Sequence, residues 1–137
     1  MRRAFIDSNI PIYALGADSP HREACLEILR QAARGKLELH ASVELVQEVL
    51  FHRMRRTDAA SALSQARMVM AACVLHDFDQ DVLGDALAMV ERDALRGRDA
   101  VHAATALRAG FAEFVTIDSD FDAVSGLVRV DPSTIFH

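Results

Sequence analysis

The sequence predicts an α/β fold with a mainly parallel sheet of about five strands, on two observations. Short apolar runs alternate along the chain with segments of helical period, the pattern of strand–helix–strand units. No repeat, low-complexity run or linker interrupts the 137 residues, so residues 1–137 read as one domain, long enough to bury a core.

The first strand covers about Arg3–Ile6, and Asn9–Leu15 follows as a short helix. Asp18, Ser19 and Pro20 supply the cap and first turn of a helix to about Ala33, stopped by Gly35. Its expected apolar face is Ala24, Ile28, Leu29 and Ala32. Leu37–Ala41 is the second strand. Ser42 then caps a helix to about Met54, with Val46, Val49, Leu50 and Arg53 at helical spacing. Thr57 or Asp58 caps an alanine-rich helix to about Met70, and Ala72–Leu75 forms a weak third strand. Asp79 caps a helix to about Leu95, broken by Gly97; Asp99–Ala109 is a further helix ended by Gly110. Phe114–Ile117 and Leu127–Val130 are the last two strands.

Composition excludes several classes. Apolar residues are 51% and charged residues 26%, a folded rather than a disordered balance. A net charge of −5 argues against a simple nucleic-acid-binding module, and 6% aromatics without Trp argue against base-stacking platforms. Neither observation excludes an enzyme whose carboxylates hold cations. No segment approaches the ~18 apolar residues of a membrane span. The start, MRRAFID, is too short for the apolar core of a signal peptide, so the expected location is cytoplasmic. Cys25 and Cys73 read as buried free thiols. None of the six histidines, His21, His40, His52, His76, His102 and His137, forms a zinc-type pair with a nearby Cys or His. No Ser/His or Cys/His arrangement supports covalent catalysis.

The informative acids stand beside apolar structure. Asp7 ends the first strand, and Asp118 ends Phe-Val-Thr-Ile with Asp120 and Asp122 close behind. Glu48 lies nearly two turns into its helix, and Asp99 opens an alanine-rich one. In an open parallel sheet the carboxyl ends of strands, where the strand order reverses, form the binding crevice. Four carboxylates from four elements can therefore converge there. Two such charges ~4 Å apart repel by roughly 4 kcal/mol at an effective dielectric near 20, so convergence calls for a hard divalent cation. For each acid a plainer role stands beside this one: a cap at Asp7, a helix-dipole charge at Asp99, a turn at Asp118–Asp122, a solvent face for Glu48. Glu44, one turn before Glu48, reads as surface.

Four blocks, FIDSNIPIYAL, ASVELVQEVL, GRDAVHAATAL and TIDSDFDAV, run in that order through nearly the whole chain. Together they resemble the PIN-domain ribonucleases, in particular the VapC-type toxins of toxin–antitoxin pairs. The resemblance implies a three-layer α/β/α, Rossmann-like fold. It implies an endoribonuclease dependent on Mg²⁺, with Mn²⁺ as a substitute, acting on tRNA, ribosomal RNA or other single-stranded RNA. By motif position the catalytic, metal-binding acids are Asp7, Glu48, Asp99 and Asp118, with Asp120 at a further, frequently acidic position. A cognate antitoxin and a homodimer are also implied, and the helix Thr57–Met70, through Ala60, Leu63, Ala66, Val69 and Met70, supplies either dimer surface or core. Ser8 and Thr116 match small hydroxyl positions of the family; a local turn and a strand filler are the plain alternatives. His102, one turn after Asp99, reads as a helix-packing residue that could line the site. Arg53, Arg55 and Arg56 read either as phosphate contacts or as a solvated helix end, and Arg98 as an RNA contact or a partner for an acid.

Two other classes fit the same plan. A phosphoacceptor signalling domain also carries acids at strand ends but uses a late lysine, whereas the only lysine here is the early Lys36. A metal-free binding module has no need of the four acids.

Overall fold

The computed structural model describes residues 1–136; the histidine at the last position, His137, lies outside the described residues. Five strands form one parallel sheet: β1 (Arg2–Ile6), β2 (Leu37–Ser42), β3 (Cys73–His76), β4 (Glu113–Val115) and β5 (Val128–Val130), in the order β3-β2-β1-β4-β5. The connections from β1 lead first to one side, through β2 and β3, and then to the other, through β4 and β5. The order therefore reverses between β1 and β4, and the crevice of an open α/β sheet lies at their carboxyl ends.

Six helices cover the sheet: α1 (Asn9–Leu15), α2 (Arg22–Ala33), α3 (Val43–Met54), α4 (Ala59–Ala72), α5 (Gln80–Asp93) and α6 (Gly97–Arg108). Because side chains alternate across a strand, β1 sends Ala4 and Ile6 to one face and Phe5 to the other. The first face packs with Leu39 and Ala41 against Ile10, Ile28, Leu45, Val49 and Val69 of α1–α4. The second packs Phe5 and Phe114 against Met89, Ala103 and Ala106 of α5 and α6. The three expected layers, α/β/α, are present.

The caps agree with the sequence wherever a short polar side chain precedes a helical run. Ser42 accepts from the Glu44 N–H, Asp58 from Ser61 and Asp79 from Val82. Elsewhere the structure corrects the expectations. The helix after Asp18–Pro20 starts at Arg22, with His21 at its cap, because Ser19 turns back on His21 N–H instead. On α2 the buried residues are Cys25 and Ile28, and on α3 they are Leu45, Val49 and Arg53. A short helix packed on several neighbours does not bury the stripe that spacing alone suggests. The third strand runs Cys73–His76, later than expected, because Ala72 still belongs to α4.

Gly97 is no breaker but the first residue of α6; the break comes at Ala94, whose left-handed backbone (φ 56°) closes α5 through a bond to Val90 O. β4 ends at Val115 rather than Ile117, because Thr116 and Asp118 redirect the chain into a 3-10 turn, Ser119–Ala123. Cys25 and Cys73 are free, and burial pushes their thiols up to about 12 and about 11, so both are inert. Among the described residues no helix is long and apolar enough to cross a membrane.

Candidate active site

Asp7 is the first residue after β1 and is only 3% exposed. Its backbone N–H still pairs with Val115 O at 3.0 Å, so the β1–β4 ladder holds it in place. Its carboxylate accepts from Ser8 N–H at 2.7 Å on Oδ1 and from the Thr116 hydroxyl at 2.8 Å on Oδ2. The capping role does not apply: the cap residue of α1 is Ser8, and it makes no side-chain cap bond. Burial pushes the Asp7 carboxyl above its ordinary value, and the Glu48 charge adds to this; the His102 charge and the Thr116 and Ser8 bonds offset part of it.

Thr116 is fully buried and is no mere strand filler. Its hydroxyl donates to Asp7 and accepts from Asn9 Nδ2 at 2.9 Å and from Asp118 N–H at 3.1 Å. That is one donor and two acceptor sites, the whole capacity of a hydroxyl. A single oxygen thus ties the end of β1, the start of α1 and the turn after β4 together. Asp118 in turn accepts from Asp120 N–H at 2.9 Å and begins the 3-10 turn. Such short-range side-chain bonds compete with the ladder and end β4 early.

Asp99 sits in the first turn of α6. Burial, then the charges of Asp7 and Asp118 and more weakly of Glu48, push its carboxyl up to about 6. A carboxylate responds this way only when the others are close and share poorly solvated space. Glu48, on the second turn of α3, reaches the cluster from the side, and its Oε1 lies 3.0 Å from His102 Nε2. Burial raises Glu48, but the His102 bond and charge, the nearby Ser8 hydroxyl and Arg98 outweigh it, and the carboxyl lies below its ordinary value. His102, 1% exposed, is raised: burial disfavours its charge, but the Glu48 bond and the charges of Asp7, Glu48 and Asp99 prevail.

From four separate elements, Asp99 thus stands in the field of Asp7, Asp118 and Glu48, and Asp7 in that of Glu48. Asp120 is exposed on the turn, with its carboxylate outside this set, and Asp122 pairs with Arg129 at 2.9 Å. Among the described residues no three His, Cys, Asp or Glu side chains are gathered closely enough to hold a metal ion. The donor chemistry is nonetheless that of a hard-cation site, all carboxylate oxygen around a buried Asp.

His102 is the residue that sequence reasoning undervalued. Its packing role is real, but its ring also meets the acid cluster. The available signal was its position three residues after Asp99, on the same helix face. The basic run also divides. Arg53 is buried and donates to Gln65 Oε1 at 2.9 Å, joining α3 to α4, while Arg55 lies over the Phe51 ring. Beside Glu48 a cavity of about 260 Å³ is lined by Glu44, Gln47, Glu48, Phe51 and Arg98. Glu44 is thus the wall of a groove that Glu48 shares.

The PIN domain family profile matches residues 4–127. Two curated proteins, Ribonuclease VapC13 of Mycobacterium tuberculosis and VapC ribonuclease Mb1869c of Mycobacterium bovis, are each 30% identical to the chain over 128 residues, 91% of this chain and 97% of theirs. Among solved structures, M. tuberculosis VapC20, described as a Sarcin-Ricin loop cleaving toxin, superposes with a TM-score of 0.75 at 19% identity, covering 93% of this chain and 98% of that one. DNA-bound VapBC from Salmonella typhimurium gives a TM-score of 0.72 at 16% identity, covering 96% and 99%. At these identities the structural likeness is one of fold.

Proposed function

The chain belongs to the PIN domain family, and from that premise we propose that it is a toxin of a toxin–antitoxin pair, acting as a metal-dependent endoribonuclease. What supports the reading is the buried Asp7 at the reversal of the sheet order, tied through the Thr116 hydroxyl to the turn that carries Asp118, with the Asp99 carboxyl raised by the charges of both. The names of the similar curated proteins, ribonucleases that the match covers to 97% of their length, support it. Mg²⁺ or Mn²⁺ would be held by these four acids, with Asp120 as a further ligand from the turn; when bound, such an ion supplies water activation and stabilises the charge developing on the phosphodiester. The protein's own part is placement. Thr116 and Ser8 fix Asp7, the Asp118 backbone hangs on the same hydroxyl, and the crevice leaves Asp99 and Asp118 half-buried at its mouth.

The phosphoacceptor alternative fails on position. Lys36 immediately precedes β2 and so stands at the amino end of the sheet, opposite the acids. A metal-free binding module would gain nothing from burying Asp7. Purified protein is expected to cut single-stranded RNA with Mg²⁺ or Mn²⁺ and to stop in excess EDTA. Cleavage unchanged by the chelator would remove the metal from the mechanism.

A toxin of this kind has a cytoplasmic site of action and needs a cognate antitoxin. The groove beside Glu48 is lined by Glu44, Gln47 and Arg98 with Phe51 as its one apolar wall, so the antitoxin segment that fits it is a mainly polar one, anchored on Phe51 and carrying a basic residue to the acids. Changing that residue to Ala should leave binding intact but weaken inhibition at high Mg²⁺; inhibition insensitive to both would place the blockade elsewhere. The homodimer reading rests on α4. Ala66 and Val69 are core, whereas Leu63 and Met70 are exposed and free to meet a second copy. An active monomer by light scattering at micromolar concentration would refute the dimer.

A further inference from the structure

His102 lies on α6, three residues after Asp99, with its ring 1% exposed. One ring nitrogen, Nε2, meets Glu48 Oε1 at 3.0 Å across a sequence separation of 54 residues. The other, Nδ1, is buried and has no hydrogen-bond partner among the described residues. An imidazole with one nitrogen left unsatisfied is a poor filler for an apolar helix face, where Leu or Met would pack without a polar atom to bury. Its neighbours on α6, Ala100, Ala103, Ala104 and Ala106, are all buried and apolar, so packing alone gives no reason for a histidine. The Glu48 bond does. The Glu48 side chain is 19% exposed and borders both the acid cluster and the adjoining groove.

We propose that His102 is a positioning residue: its Nε2–H holds Oε1 of Glu48, fixing the carboxylate toward Asp7 and Asp99 while the second oxygen stays available. The role rests on the metal-site reading above, and it accounts for an unsatisfied buried nitrogen that costs the fold stability. Removing the ring should weaken ion binding, and in the metal-free protein it should also cost stability, because the ring's charge offsets Asp7, Glu48 and Asp99.

The test compares wild type, His102→Leu and His102→Gln, whose amide N–H can replace the Nε2 donor. Mn²⁺ binding is followed by electron paramagnetic resonance without RNA, and melting is measured in EDTA. His102→Leu should bind Mn²⁺ about tenfold or more weakly, and should melt below wild type in EDTA while remaining folded, because the acids lose the charge of the ring. His102→Gln should recover most of the affinity. Unchanged affinity in the Leu variant, or equal losses of affinity in both variants, would overturn the role. Should the Leu variant fail to fold, Glu48→Ala supplies the second arm. The downfield Nε2–H resonance of His102 seen by ¹⁵N-edited NMR must then shift or vanish, and an unmoved resonance overturns the bond. Wild type that binds no Mn²⁺ while showing that resonance would overturn the proposed metal site, and with it this use of His102.

Discussion

Asp7→Asn, Glu48→Gln, Asp99→Asn and Asp118→Asn are each expected to lower RNA cleavage by at least ~100-fold, the upper end of what loss of an outer-shell partner costs a metal site, with the fold retained. Asp7 is the decisive case, because it is the most buried of the four and so the one whose loss is most easily mistaken for a folding defect. Its two oxygens accept from Ser8 N–H and from the Thr116 hydroxyl. An Asn has one acceptor, so one of those bonds is lost, at about 1 kcal/mol. Against this, a carboxyl that burial has pushed above its ordinary value no longer has to be ionised inside the protein. The two effects oppose each other, and Asp7→Asn should melt within a few kelvin of wild type in EDTA. A large fall in melting temperature would make Asp7 a structural acid. Retained cleavage by any one of the four variants would remove that residue from the site.

The second large effect is on the pH dependence of stability without metal. The Asp99 carboxyl, raised to about 6 by burial and by Asp7 and Asp118, stands above its unfolded value of 3.8. Its contribution to stability is thus fully present below 3.8 and is lost as pH rises through 6. Asp7 acts in the same direction. His76 opposes them: burial, then the His40 and Arg3 charges, lower it below 6.5, so its contribution is present above 6.5 and lost on acidification. Glu48, held below its ordinary value, also loses its contribution as pH falls. The wild-type curve is a composite, and a difference curve isolates Asp99. In EDTA at pH 7, Asp99→Asn should be more stable than wild type by roughly 1–2 kcal/mol, after discounting for partial exposure. The gap should close between pH 6 and pH 4, as read from urea midpoints. Mn²⁺ should reverse the order, since an ion that binds only the folded wild type stabilises it by mass action. A gap independent of pH, or one that widens on acidification, would show that Asp99 does not share the field of Asp7 and Asp118.

Local sequence determined a good deal. Alternating apolar runs and helical periods gave the α/β class, and the helices Asn9–Leu15 and Val43–Met54 were legible to the residue. The caps at Ser42, Asp58 and Asp79 were readable because a cap bond spans only two or three residues. Asp7 and Asp118 could be placed at strand ends for the same reason. What the tertiary structure alone decided is everything that depends on distant pairing. The reversal of the sheet between β1 and β4 makes the ends of two strands, more than a hundred residues apart, into one crevice. The choice of Leu45 over Val46 for burial follows from which neighbours α3 meets. Arg53 read either as a phosphate contact or as part of a solvated helix end, and it is a buried link to Gln65. Thr116 read either as a hydroxyl of the site or as a strand filler, and only the fold shows its hydroxyl joining Asp7, Asn9 and Asp118. His102 looked like packing and holds Glu48. Spacing along one element shows which residues share a face. Which charge or hydroxyl stands opposite that face is set by contacts between elements, and those exist only once the chain has folded.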